Sequence, residues 1–260
     1  MDEGVAPPWP VPPAALALAE DEVHVWRASL ELPVAHVQWL RRTLSADELA
    51  RAKRFHFQRD RRRYIIAHGI LRVILGRYTG VGPSQLRFEY NPHGKPELAP
   101  SLDLKPLSFN LSHSQEVVLY AFTRGRQIGI DLEQIRTDFP CEEIAEQFFS
   151  PQENAALQAL PHNKRHEAFF RCWTRKEAYL KARGEGLSLP LHDFSVSLVP
   201  GEPASLLGIR GDPEAAAGWA LRGLLPTPGY VGTLAVEGHN WQMSCWEWSE
   251  ELAHTARSGQ

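Results

Sequence analysis

The chain carries one local pattern twice, and that repeat limits what it can fold into. Leu44 to Phe55 reads LSADELARAKRF, and Phe149 to Leu160 reads FSPQENAALQAL. In each copy an apolar residue precedes a serine, and a glutamate follows three positions later: Ser45 with Glu48, Ser150 with Glu153. This is a capping box, in which the hydroxyl accepts from an amide at the helix start and the carboxylate reaches back to the serine amide. Pro151 sits at the first helical position, where a missing amide costs nothing. At the same offset of 105 residues, Tyr64-Ile65 falls on Phe169-Phe170 within a second, longer helical pattern. Val23 and Val25 likewise fall on Ile128 and Ile130, two alternating strand segments. Gly80 and Gly184 lie near the ends of the longer helices, one residue out of register.

Each half therefore reads as strand, capped helix, longer helix and short strands. The expected fold class is α+β: two pseudo-symmetric α/β lobes (an internal duplication), each a small sheet packed against a long helix, leaving between them a cleft, a favoured place for a ligand or active site. Strands are predicted over 86–90 and 116–122, then over 193–199, 219–225 and 230–236, with a Gly/Pro-rich loop at 208–218. The polar turn at Thr123–Arg126 divides an N-terminal lobe, 21–123, from a C-terminal lobe, 124–248. A Pro-rich extension, 1–20, and a tail, 249–260, flank them. The aromatic-rich Trp241–Trp248 reads as a final strand or a packing patch.

Composition narrows the class. Of 260 residues 43% are hydrophobic and 23% charged, a soluble globular balance. A net charge of −3 argues against a surface built wholly for nucleic acid, and no run of 18 apolar residues offers a membrane span. Asp2, Glu3 and five early prolines stand where a secretory leader needs positive charge, so the expected location is cytoplasmic. Cys141, Cys172 and Cys245 are too few and scattered for a disulfide framework or a zinc site.

The charge is uneven. Ten of the 28 basic residues lie between Arg41 and Arg72, against three acids. A basic run can simply be a solvated helix face. Set on an otherwise acidic body, it also suits a small polyanion carrying phosphate.

The strand Ile128–Ile135 puts Ile128, Ile130 and Leu132 on one face, and Gly129, Asp131 and Glu133 on the other. The two carboxylates then stand about 7 Å apart at their Cα atoms and repel unless a cation lies between them. Such a pair can simply face solvent; a hard, oxygen-preferring ion such as Mg²⁺ also fits that need. On the helix FFRCWTRKEAYLK, Trp173, Glu177 and Lys181 form one stripe. Its aromatic neighbours partly bury the acid, which calls for a counter-charge from metal or phosphate. Two further segments offer donors for phosphate oxygens: the turn NPHGKP, with Lys95, and FNLSHS, a strand running into a polar loop where Ser112 and Ser114 flank His113. Adjacent residues on an extended segment diverge, so Ser112 and His113 cannot pair as nucleophile and base.

Four motifs thus occur in one order: NPHGKP, FNLSHS, IGIDLE and WTRKEAYLKARGEGLSL. In that order and spacing the chain resembles the 4′-phosphopantetheinyl transferase superfamily, in its longer, two-lobed class, from about Ser45 to Val199. The resemblance implies an enzyme that moves phosphopantetheine from coenzyme A to a serine of an apo carrier protein. It implies Asp131, Glu133 and Glu177 as ligands of Mg²⁺, with Mn²⁺ a possible substitute, bridged to the coenzyme A diphosphate. Glu177, Lys181 and Asp131 are the catalytic set it implies, with Lys181 contacting phosphate and Glu177 the candidate general base. Lys95, Ser112 and His113 resemble the edge that binds the adenosine phosphates; Arg63, and Arg51 beside it, match positions receiving the 3′-phosphate, with Arg61 or Arg62 as alternatives. The implied partners are acyl or peptidyl carrier domains and coenzyme A, with neither nucleic acid nor membrane, and two lobes in one chain imply a monomer. A non-catalytic carrier- or coenzyme A-binding homologue and a Mg-dependent nucleotide diphosphate hydrolase are the rival readings.

Overall fold

The computed structural model describes residues 8–99, 106–210, 212 and 214–250. In the first half, β1 (Glu22–Ser29) leads to helices α1 (Val34–Arg41), α2 (Ala46–Lys53) and α3 (Gln58–Thr79). A short hairpin, β2 (Phe88–Tyr90) and β3 (Pro96–Leu98), precedes β4 (Leu107–Ser114) and β5 (Val117–Arg124). The second half runs β6 (Ile128–Gln134), α4 (Cys141–Phe148), α5 (Pro151–Ala159), α6 (His162–Arg183), β7 (Phe194–Val196), β8 (Leu206–Ile209), β9 (Trp219–Leu224), β10 (Tyr230–Glu237) and β11 (Gln242–Glu247).

The repeat is present in three dimensions. Both capping boxes form: Ser45 Oγ accepts from the Glu48 amide, Ser150 Oγ from the Glu153 amide, and each glutamate returns a bond to its serine amide at 2.8 Å. The long helices α3 and α6 both span 22 residues and stop at a glycine in the left-handed conformation, Gly80 at φ 71° and Gly184 at φ 66°. A side chain would strain both positions, so glycine ends both helices. Each capping glutamate also meets a buried base from its long helix. Arg72 Nε donates to Glu48 at 2.7 Å, and Lys176 Nζ lies 2.8 Å from Glu153.

The largest sheet has the order β11-β1-β5-β4 and the next β6-β10-β9, while β2 with β3 and β7 with β8 form two-stranded sheets. All neighbours are antiparallel except β1 and β11, which pair in parallel from Glu22↔Gln242 to Arg27↔Glu247. Trp241–Trp248, open between strand and packing patch in sequence, is thus mainly strand β11, and it completes the first lobe's sheet. The N-terminal segment is tied in beside it. Pro10 accepts from the Glu247 amide, Arg77 donates to the Pro13 and Ala14 carbonyls, and Arg124 donates to that of Leu18.

Strand alternation sorts the core. Trp26, Val118, Tyr120 and Phe122 pack under α3 with Ile66, Ile70 and Ile74. Val231 and Ala235 pack under α6 with Ala178, Tyr179 and Ala182. The opposite faces, with Val23, Val25, Leu119 and Ala121 from one sheet and Ile128, Ile130, Leu132, Leu234 and Val236 from the other, share a third apolar cluster that joins the lobes. These strands are covered on both sides, so segments such as VVLYAF read as apolar runs rather than clean alternation.

Several boundaries differ from expectation. β7 is only 194–196, because the chain bulges after Ser195. The loop expected at 208–218 overlaps β8. FNLSHS does not pass into a loop: β4 continues to Ser114 because β5 pairs with it through Ser112↔Leu119, His113↔Val118 and Ser114↔Val117. The turn is then taken by Gln115 at φ 50°.

Candidate active site

Strand β6 lies in the seam between the lobes with its faces sorted by polarity. Its isoleucines enter the apolar cluster, and Gly129, Asp131 and Glu133 face the other way. Gly129 permits α6 to lie directly on this face. A Cβ there would stand 2.1 Å from the Ala178 carbonyl oxygen and 2.3 Å from the Ala182 amide nitrogen. Helix and strand backbones touch, which carries Glu177 and Lys181 to the two strand acids.

The other wall is β4, joined to β6 by side chains rather than by a backbone ladder. Asn110 Oδ1 accepts from the Ile130 amide at 2.9 Å, Ser112 Oγ donates to Asp131 Oδ1 at 2.9 Å, and Ser114 Oγ donates to Glu133 Oε2 at 2.9 Å. Lys181 Nζ closes the group, 2.6 Å from Asp131 Oδ1 and 3.0 Å from Ser112 Oγ. The second oxygen, Asp131 Oδ2, is buried and has no hydrogen-bond partner. A buried carboxylate oxygen left bare costs about 1–3 kcal/mol or more, so this oxygen invites a cation.

Electrostatics mark the three acids as one group. Burial raises the pKa of Glu177, and the charges of Asp131 and Glu133 add to it against Lys181. Glu133 is raised likewise by burial and by Asp131, while its bond from Ser114 and the nearby Arg136 and Lys181 oppose. Among the described residues no three His, Cys, Asp or Glu side chains already form a group able to hold a metal ion.

Beside the acids the sign reverses. His113 points to the opposite side of β4 from Ser112 and keeps an exposed edge. Desolvation lowers its pKa, and the positive charges of Lys181, His68 and Arg63 lower it further, with Asp60 opposing. Arg63 is therefore close enough to act on His113. Arg62 is committed to the Leu32 carbonyl, and Arg61 reaches the Lys53 carbonyl at 3.5 Å. Arg51 stands exposed at the last turn of α2, where its charge reaches Tyr64.

Lys95 holds elements together. The turn that carries it folds around Asn91 Oδ1, which accepts from the His93 and Lys95 amides at 2.9 Å each. Asn91 Nδ2 donates to the Gly184 carbonyl at 2.8 Å; Lys95 Nζ donates to the Ile128 and Ala182 carbonyls at 2.9 and 3.0 Å. The ammonium caps the last turn of α6, where a cation is favourable. Burial lowers its pKa to about 8 against the pull of Glu97.

Two cavities flank this strap. One of about 310 Å³ is lined by His93, Lys95, Asn110, Leu111, Glu177 and Lys181 among others. One of about 460 Å³ lies between Tyr78, Arg124, Ile128 and Arg183 and touches none of the three acids. Of the two, only the smaller is lined by members of the acid–lysine group, Glu177 and Lys181. The structure thus gathers Asp131, Glu133, Glu177, Lys181 and Ser112, sets His113 and Arg63 alongside, uses Lys95 as a strap and leaves Arg51 on the outer rim. Sequence reasoning missed Asn110 and read Ser114, like Ser112, as a donor to phosphate, whereas both hydroxyls here donate to the carboxylates of β6; the N-x-S-x-S alternation puts all three on one face.

Comparison with known proteins places the chain in a family. Residues 26–124 match the model of the 4′-phosphopantetheinyl transferase N-terminal region, and residues 127–234 match that of the 4′-phosphopantetheinyl transferase superfamily. The chain is similar to 4′-phosphopantetheinyl transferase HetI of Nostoc sp., 45% identical over 240 residues covering 92% of this chain and 98% of that protein. It is also similar to 4′-phosphopantetheinyl transferase Sfp of Bacillus subtilis, at 35% identity over 60% of this chain and 66% of that protein. With both halves matched and the four motifs gathered at one seam, the chain belongs to the 4′-phosphopantetheinyl transferase superfamily.

Proposed function

We propose that this chain transfers the 4′-phosphopantetheine group of coenzyme A to a serine of apo acyl or peptidyl carrier proteins, releasing adenosine 3′,5′-bisphosphate. The observation that carries this reading is the bare, buried Asp131 Oδ2, set among Glu133, Glu177 and Lys181 beside a neutral His113 and the positive charge of Arg63. An acid cluster next to a phosphate-attracting patch suits a diphosphate with a cation between them.

The donor set fits a hard divalent ion, Mg²⁺ or in its place Mn²⁺. Asp131, Glu133 and Glu177 would hold it, and when bound it supplies charge neutralisation at the phosphoryl oxygens. The protein residues do the remaining work. Arg63 and His113 anchor the adenosine phosphates, with Arg51 at the rim, and Ser112 and Lys181 stand at the diphosphate. Lys95 contributes by shaping that edge. The serine hydroxyl attacks the β-phosphorus; a new P–O bond forms, the bond to the bridging oxygen breaks, and the bisphosphate leaves. Glu177 receives the serine proton, and its raised basicity favours that step. Catalysis is mainly positioning and charge compensation.

The two lobes supply the cleft within one chain, which supports a monomer. Among the described residues no helix is long and apolar enough to cross a membrane, and the three cysteines are free and buried. These features support work in the cytoplasm.

The test is incubation with coenzyme A, MgCl₂ and an apo-carrier, read by mass spectrometry of the carrier. A phosphopantetheine adduct on serine is expected, abolished by a chelator. Glu177→Gln should retain coenzyme A binding and lose at least about 100-fold in transfer. Bisphosphate release without a carrier, or wild-type transfer by the variant, would overturn the corresponding assignment.

A further inference from the structure

The basic run singled out in the sequence is not exhausted by the phosphate patch. Its middle forms a knuckle between α2 and α3, and from Lys53 to Arg59, KRFHFQR, every residue is exposed. Two of the seven large hydrophobic side chains exposed among the described residues stand here, two positions apart: Phe55 at 36% and Phe57 at 64%. Phe57 lies at the start of α3 with the His56 ring edge-on at 4.9 Å, and basic residues flank it along the chain: Lys53, Arg54, Arg59 and Arg61. Asp60 is the nearest acid in sequence and meets Arg59 at 3.6 Å. Arginine and aromatic side chains together are what protein interfaces enrich, and here two exposed phenylalanines stand together among basic residues rather than singly.

The position matters as much as the composition. Phe55 packs on Tyr64 at 5.4 Å between ring centroids, and Tyr64 stacks on His68 at 4.0 Å. His68 and Arg63 both act on His113, so the knuckle adjoins the positive side of the cleft. The knuckle thus stands at one edge of the cleft that holds Glu177.

We propose that the α2–α3 knuckle is a docking surface for an acidic face of the carrier domain, with Phe57 seated on an apolar residue at its centre and Arg54 and Arg59 meeting carboxylates around it. This rests on the transferase reading and extends it to partner recognition. The field of the knuckle favours an anionic partner, and the phenylalanines favour a protein surface over a polyphosphate chain, which would offer them nothing. None of Arg54, Phe57 and Arg59 belongs to the cluster around Asp131.

The experiment is steady-state transfer with wild type, Phe57→Ala and the double variant Arg54→Glu/Arg59→Glu, varying carrier and coenzyme A separately and repeating at two salt concentrations. Wild-type transfer is the control for the underlying activity; its absence removes that activity rather than the docking surface. With it present, the double variant should raise the carrier KM at least about tenfold and flatten its salt dependence, and Phe57→Ala should raise it several-fold. The coenzyme A KM and the melting temperature should stay at wild-type values. An unchanged carrier KM, or a rise confined to the coenzyme A KM, overturns the proposal. So does sedimentation with phosphatidylserine vesicles that the variants lose while the carrier KM is unaltered, which would assign the patch to a membrane surface.

Discussion

Replacing Gly129 by alanine adds one methyl group at the point where strand and helix backbones touch. The new Cβ would fall 2.1 Å from the Ala178 carbonyl oxygen and 2.3 Å from the Ala182 nitrogen, against an ordinary contact of 3.4 Å or more. Both obstacles are backbone atoms, so no rotamer change relieves them, and α6 must move off β6 by about 1 Å. Overpacking of this kind costs about 1–3 kcal/mol. At roughly 2–4 °C per kcal/mol for a chain of this size, the melting temperature should fall by roughly 2–12 °C and the protein should still fold. Activity should suffer more. The displaced helix carries Glu177 and Lys181, while Asp131 and Glu133 stay on the strand, and a misplacement of about 1 Å can cost about 100-fold in rate. Calorimetry and carrier modification at saturating coenzyme A measure the two effects separately. Since His113 and Arg63 lie on the other lobe, kcat should fall far more than coenzyme A affinity. A Gly129→Ala variant transferring within about twofold of wild type would refute the inference that helix-on-strand contact sets the site.

The buried pair Glu153–Lys176 gives a stability prediction. Lys176 Nζ donates to the Leu191 and Phe194 carbonyls and lies 2.8 Å from Glu153 with no exposed surface, so Lys176→Met should cost about 3–5 kcal/mol by stranding a charge. Adding Glu153→Gln should recover much of that loss in urea unfolding; a double variant weaker than the single contradicts it. Lys95 predicts a pH dependence. Its pKa is 10.5 when unperturbed and about 8 in the fold, so between those values the unfolded chain holds a proton the native state has lost. The contribution of this residue to stability must then rise with pH across that interval. The melting temperature of wild type minus that of Lys95→Met should become more positive from about pH 7.5 to about pH 10, and a flat or falling difference would exclude the burial effect.

Local chemistry made much of this fold readable. Capping boxes, terminal glycines and the period-two strand at Ile128–Gln134 depend on neighbouring residues, and all stand where the sequence puts them. What depends on distant partners was not legible. β4 extends through Ser114 because β5 is there to bond it, and the pairing of β11 with β1 spans the length of the molecule. Lys95 is the clearest site example: a lysine in a glycine turn reads as a phosphate donor, but its ammonium meets two carbonyls contributed by β6 and α6. Arg62 is likewise indistinguishable from Arg63 along the sequence. Only the Leu32 carbonyl marks out the bonded guanidinium from the one whose charge reaches His113.

The parallel pairing of β1 with β11 bears on how the polypeptide emerges during synthesis. The strand made first has one neighbour within the N-terminal half, and its other edge stays open until residues 242–247 have left the ribosome. An edge of VHVWRA unmatched for so long invites pairing with other nascent chains. Cutting the gene at the turn near Arg124 should therefore yield an N-terminal fragment prone to aggregation. Supplying it with a peptide spanning β11 should suppress that tendency.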